Sequence, residues 1–136
     1  MAVIVCAFTV LSAIAGCADP NWGYVTGTVT LNGKPVGPGS LMFEPENPVS
    51  VTTPSAIAHF REDGKYVLKS AGNREGAPTG TYLVMIHGRG EGKFGDEIVD
   101  PNEKSAIPIK YLNHRLSGLK ATVEPGKQTI DFDLEP

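Results

Sequence analysis

Tyr24-Val25-Thr26-Gly27-Thr28-Val29-Thr30-Leu31-Asn32-Gly33 decides how this chain is read. Val25, Gly27, Val29 and Leu31 alternate with threonines, the period of a strand with one buried face and one wet face. Asn32-Gly33 follows with two residues that tolerate positive φ, as the central positions of a two-residue hairpin turn require. Lys34-Pro35-Val36 begins the return. Pro35 has no N–H to give to a ladder, which confines that return to an edge or a bulge.

The same grammar runs outward from this hairpin. Ser40-Leu41-Met42-Phe43-Glu44 reads as a second strand, stopped by Pro45 and Pro48. Between Ser55 and Arg61 the alternation sets Ala56, Ala58 and Phe60 on one face and Ile57 and His59 on the other. Glu62-Asp63-Gly64 is expected to turn the chain into Lys65-Tyr66-Val67-Leu68-Lys69 as a further hairpin. Residues 70–80, rich in Gly and Pro, read as loop. Thr81 to His87 points Tyr82, Val84 and Ile86 inward, with Leu83 and Met85 on the opposite face. Gly88 to Ala106 is polar, glycine-rich and aperiodic, which predicts a long mobile loop. Leu119–Glu124 and Thr129–Leu134 are expected to close a last hairpin around Pro125-Gly126, with Ile130, Phe132 and Leu134 alternating against Asp131 and Asp133.

Composition agrees. The chain has 136 residues, enough for one core, and 16 Gly with 11 Pro break it too often for a helical bundle. About seven short strands with no helix predict an all-β antiparallel sandwich in a single domain. Lys and Arg number 12 against 15 Asp and Glu, with no basic cluster, which argues against nucleic acid as the partner.

Residues 1–16 stand apart. MAVIVCAFTVLSAIAG holds no charged residue, lacks the polar face of a globular helix, and is short for a membrane span of about 20 residues. It reads as the apolar part of a secretory signal, although no Lys or Arg precedes the run. Ile14-Ala15-Gly16-Cys17 resembles the lipobox of bacterial lipoproteins, an apolar residue and two small ones before an obligatory cysteine. The resemblance implies cleavage before Cys17 and a diacylglyceryl group on its thiol, with a further acyl chain such as palmitate open to its amine. Two or more chains anchor a protein stably, at ~0.8 kcal/mol per buried CH₂. The other reading is an ordinary signal peptide with Cys17 as a stray thiol. Cys6 would leave with the signal, so the mature chain would hold one cysteine and no internal disulfide. The domain plan is thus a signal over 1–16, a lipidated Cys17 with a short tether over 17–23, and a sandwich over 24–136.

Five segments in order carry a wider resemblance: Gly27 to Val36, Leu41-Met42-Phe43-Glu44-Pro45, Glu62-Asp63-Gly64-Lys65-Tyr66, Gly80-Thr81-Tyr82-Leu83-Val84, and a C-terminal stretch. That stretch runs from Ile107-Pro108-Ile109-Lys110-Tyr111 through Ser117-Gly118-Leu119 and Pro125-Gly126-Lys127 to Asp131-Phe132-Asp133-Leu134. Together with the preceding cysteine motif they are similar to small bacterial lipoproteins with a carboxypeptidase regulatory-like, or transthyretin-like, domain. The resemblance implies a seven-stranded antiparallel Greek-key sandwich of prealbumin type. It attaches no catalytic site, because the shared residues are explicable as turns and as core, with Phe43, Tyr66, Tyr82 and Phe132 filling the interior.

Other chemistry fits these residues less well. Hydroxyisourate hydrolases share the transthyretin-like fold but end in Tyr-Arg-Gly-Ser, whereas this chain ends Asp133-Leu134-Glu135-Pro136. His59 and His87 fall on outer strand faces and would suit zinc only as neighbours beside a carboxylate; isolated surface histidines are the plainer reading. His114 lies near Tyr111 and Arg115 with no partner spacing. Asp96, Glu97, Asp100 and Glu103 match no calcium loop. Trp22 and Tyr24 suit either a membrane interface or the covering of the sandwich's end. No catalytic residue, metal or cofactor is assigned, and Cys17 is the single modification site.

The expectation is therefore a lipid-anchored, non-catalytic module of the bacterial cell envelope. Its membrane contact would be the lipid on Cys17, and its partner an envelope protein or polysaccharide met by a strand edge or by the 88–106 loop. A hydrolase-type enzyme, a carbohydrate-binding module and a purely structural role are the alternatives. A carbohydrate module wants an exposed aromatic platform, and with 1 Trp, 4 Tyr and 5 Phe, most of them in core positions, none is evident. Ala18 rather than Asp after Cys17 resembles sorting to the outer membrane; its face, the leaflet and the oligomeric state are left open.

Overall fold

The computed structural model describes residues 19–47, 54–88 and 107–136. In chain order its strands are β1 (Trp22–Leu31), β2 (Lys34–Pro35), β3 (Gly39–Pro45), β4 (Ala56–Phe60), β5 (Lys65–Val67) and β6 (Lys69–Ser70). These are followed by β7 (Arg74–Glu75), β8 (Ala77–Pro78), β9 (Gly80–Gly88), β10 (Leu119–Val123), β11 (Gly126–Thr129) and β12 (Phe132–Leu134). The only helical pieces described are 3₁₀ turns at Ala71–Asn73 and Ile109–Leu112. The chain is all-β, as its alternation predicts.

β1 is the spine of the first sheet. Along one flank it pairs antiparallel with β8, β5 and β2 in turn; along the other it pairs parallel with β11 and then β12. The second sheet, β10-β9-β3-β4-β6-β7, is antiparallel throughout. Facing sides of the two sheets enclose one core, in which Val25, Val29, Phe43, Tyr66, Tyr82 and Phe132 are buried as their strand positions predict. Phe43 joins the layers, its ring lying 5.8 Å from Tyr82 of its own sheet and 6.0 Å edge-on from Phe132 of the other.

The Asn32-Gly33 hairpin forms as expected, with φ of 52° and 75° and with Thr30 opposite Pro35. The exposed Asp133 carboxylate ties it down, accepting the Gly33 N–H at 2.9 Å and the Thr30 hydroxyl at 2.8 Å. Those bonds hold its pKa below the ordinary carboxylate value, Gly33 first.

Four expectations are corrected. Leu119–Glu124 and Thr129–Leu134 are not a hairpin: the turn at Gly126 sends β10 to the second sheet and β11 and β12 to the first. The hairpin around Glu62-Asp63-Gly64 forms only in part: Lys69 pairs with Ile57, but β5 leaves β4 to join β1. Residues 70–80 carry β7, β8 and a 3₁₀ turn rather than a plain loop. Finally, the antiparallel order does not extend to β1 and the C-terminal strands, which run parallel. At Glu62-Asp63-Gly64 and at Gly126 the turn falls where its residues place it, but the chain changes sheets there, and alternation does not report which sheet a strand joins. The signal segment, Cys17 and residues 89–106 of the expected loop lie outside the described residues; Gly88 is the last residue of β9, opposite Gly39, and not loop. No described helix is long and apolar enough to cross a membrane.

One junction needs close approach. Between β11 and β12 the chain steps inward at Ile130, whose carbonyl sits where a Gly27 side chain would be: a Cβ there would meet Ile130 O at 1.8 Å. The Tyr66 hydroxyl donates to that carbonyl, while Ile130 N–H bonds Thr26 O at 2.8 Å and Thr28 N–H bonds Asp131 Oδ1 at 2.8 Å.

Candidate functional site: a groove between two open strand edges

A groove of about 840 Å³ lies between β4 and β5. Its origin is topological. Ile57 pairs with Lys69, and continuing that register would set His59 opposite Val67 and Arg61 opposite Lys65. The ladder does not continue, because residues 65–67 lie against β1 in the other sheet and the chain crosses over at Leu68. The result is a hairpin closed at Ile57–Lys69 and at its turn, where Gly64 N–H donates to Arg61 O at 2.9 Å, but split between them.

Hydrogen-bond alternation shows what lines the split. Glu46 N–H donates to Thr81 O at 3.0 Å, so even-numbered residues of β3 turn their main-chain groups toward β9 and odd-numbered ones toward β4. Ala56, Ala58 and Phe60 therefore bond β3, and the main-chain groups of Ile57 and His59 face the groove. On the other wall Val29 N–H donates to Gly64 O and Leu68 N–H to Val25 O, both at 2.9 Å. Tyr66 therefore faces β1, and the groups of Lys65 and Val67 face outward. Asp63 Oδ1 takes the Lys65 N–H at 3.0 Å, which leaves Val67 as the open position of that wall.

The lips are charged and the floor apolar. Ala58 and Tyr66 lie below, and Val67 is 43% exposed. His59, Arg61, Lys65 and Lys69 line the groove with Asp63 and Glu75. Lys69 and Glu75 stand opposite each other in the β6–β7 register and offset one another. Arg61 and Lys65 have no ion-pair partner among the described residues. In a chain of net charge −3 this is a locally basic strip. The lower end is held by Ser70, whose buried hydroxyl donates to Gly76 O at 2.8 Å and so has its proton committed to the backbone.

Tyr66 couples this site to stability. Burial first, and the Asp131 charge second, push its phenol well above the ordinary tyrosine range, and burial also raises Tyr82. A raised acid is stabilised in its neutral form. Its contribution is fully present below pH ~10 and fades as pH rises above that value. Tyr66→Phe, which leaves Ile130 O without its donor, is expected to cost ~1–2 kcal/mol at pH 7. It should also flatten the alkaline loss of stability in urea melts between pH 9 and 11; a variant with the wild-type slope would refute that role.

The histidines separate. His59 and His87 are not cross-strand neighbours, because β3 runs between β4 and β9 and Ser40 stands opposite both. His114 Nδ1 lies 3.0 Å from Glu44 Oε2, a partner that spacing did not suggest. Among the described residues no three His, Cys, Asp or Glu side chains converge as a metal set. Trp22 is buried, donating its indole N–H to Glu75 O at 2.9 Å beneath the Arg74 guanidinium, which lies 3.5 Å from the ring centroid. Tyr24 alone of that pair is exposed. Sequence reading passed over Arg61, Lys65 and Lys69, which look like ordinary wet strand positions; their four-residue spacing across a turn was the available signal. No family model, curated protein or solved structure matches the chain.

Proposed function

We propose that this protein is a lipid-anchored, non-catalytic interaction module of the bacterial cell envelope, holding an extended segment of a partner protein along the split between β4 and β5. The observation that carries the reading is the opening of two unpaired strand edges, at His59 and Val67, onto one groove. Edges of this kind accept main-chain hydrogen bonds from an added strand. The seven-stranded Greek-key, prealbumin-like plan belongs to the same proposal, as do the transthyretin-like relationship, the signal over 1–16, and anchoring at Cys17 in the outer membrane. What supports the anchor is the Ile14-Ala15-Gly16-Cys17 motif ending an uncharged run, two residues before the described domain begins at Asp19.

Intact mass of the membrane-extracted protein tests the anchor. A chain beginning at Cys17 and carrying two or three acyl groups is expected, with the acyl groups lost in Cys17→Ala. An unmodified chain that retains residues 1–16 would overturn it. A polysaccharide partner draws on a different surface. Tyr24, 44% exposed, stands beside Lys127 on the outside of the first sheet, with the hydroxyls of Thr26 and Thr129 next along it.

A further inference from the structure

We infer that the segment taken up by the β4–β5 groove is acidic, with two carboxylates four residues apart along an extended chain. The inference rests on the edge-binding reading above and deepens it. Cations stand at two levels of the split hairpin. Arg61 and Lys65 flank the turn at the upper end, and Lys69 lies opposite Ile57 at the lower one. Ile57 and Arg61 are four residues apart, about 13 Å at the rise of an extended chain. Between them the walls offer main-chain groups at His59 and Val67 and an apolar contact at Val67.

An extended segment laid in the groove would set alternate side chains toward the lips. Its first and fifth residues would meet the two cationic levels, and its third would meet His59 and Val67. A carboxylate at the first position finds Arg61 and Lys65, neither of them already paired within the described residues. One at the fifth competes with Glu75 for Lys69 and should contribute less. A basic or neutral segment would leave Arg61 and Lys65 with only the Asp63 carboxylate, which already takes the Lys65 N–H, as counter-charge. The short open edge supplies few main-chain bonds, so the charges rather than the ladder set the preference.

Fluorescence anisotropy tests this with the full chain in detergent and a labelled pentapeptide, Glu-Val-Ser-Val-Glu. Its Gln-for-Glu and Lys-for-Glu versions, a backbone N-methylated version and an acidic oligogalacturonate serve as further probes. The Glu peptide is expected to bind about tenfold more tightly than the Gln peptide, with the preference shrinking as salt rises. Arg61→Glu with Lys65→Glu should invert the preference toward the Lys peptide, an outcome that mere misfolding would not produce. Equal binding of the Glu and Gln peptides, lost on N-methylation, would overturn the acidic preference and leave the edge reading standing. Binding of no peptide would overturn both, and binding of oligogalacturonate alone would assign the groove to an acidic glycan instead.

Discussion

Gly27→Ala is expected to lower stability by ~3–5 kcal/mol, enough to unfold a large fraction of a domain whose whole margin is of order 5–15 kcal/mol. The added methyl would sit 1.8 Å from Ile130 O and 2.8 Å from the Tyr66 ring. Neither neighbour has room to give. Moving the carbonyl breaks its bond from the Tyr66 hydroxyl and disturbs the flanking bonds of Ile130 N–H to Thr26 O and Thr28 N–H to Asp131 Oδ1. The cost therefore joins overpacking to a part-buried acceptor left without its donor. Urea melts of the variant against wild type provide the measure, and wild-type stability would show that the step at Ile130 is not held as described. Gly33→Ala is the useful contrast, because a Cβ at Gly33 meets nothing within 4 Å and only the positive φ opposes it.

Phe43→Ala should be comparably damaging, at ~3–5 kcal/mol. Its side chain is fully buried and is the one β3 residue that packs edge-on against Phe132 of the opposite sheet while also touching Tyr82 of its own. Truncation removes contacts from both layers and leaves a cavity that rigid strands on either side cannot close. The effect should appear as a lower urea midpoint at an unchanged m-value, since the surface exposed on unfolding barely alters. Phe43→Leu, which keeps most of the volume, should recover more than half of the loss; equal damage from both variants would mean that the aromatic packing, not the cavity, is what matters.

Burial was legible in the sequence wherever one side of a strand faces the core. Val25 and Val29, Ala56, Ala58 and Phe60, and Tyr82, Val84 and Ile86 were assigned inward from alternation alone, and all are buried. Neighbourhood was not legible. Gln128 closes a local turn, bonding Glu124 through both ends of its amide, and yet the strands on either side of that turn separate into different sheets. The same limit hid the groove. Arg61, Lys65 and Lys69 acquire their arrangement from the crossover at Leu68, and that crossover is made by the demand of β1 for a partner opposite Thr26 to Thr28. The separation of His59 from His87 has the same cause, because β3 inserts between two strands that lie later in the chain.

β1 also determines how the domain bears mechanical load. Trp22 begins the first strand, so a pull from the chain ahead of it enters along the axis of β1. That strand is flanked on both sides, by β8, β5 and β2 on one and by β11 and β12 on the other. Force along it shears the ladders on both flanks together instead of peeling an edge strand bond by bond. Rupture under tension is governed by the unfolding rate, and a shear geometry that must break many hydrogen bonds in one step keeps that rate low. A tether attached at this end would therefore hold fast under drag that would strip a domain hung from one of its edges.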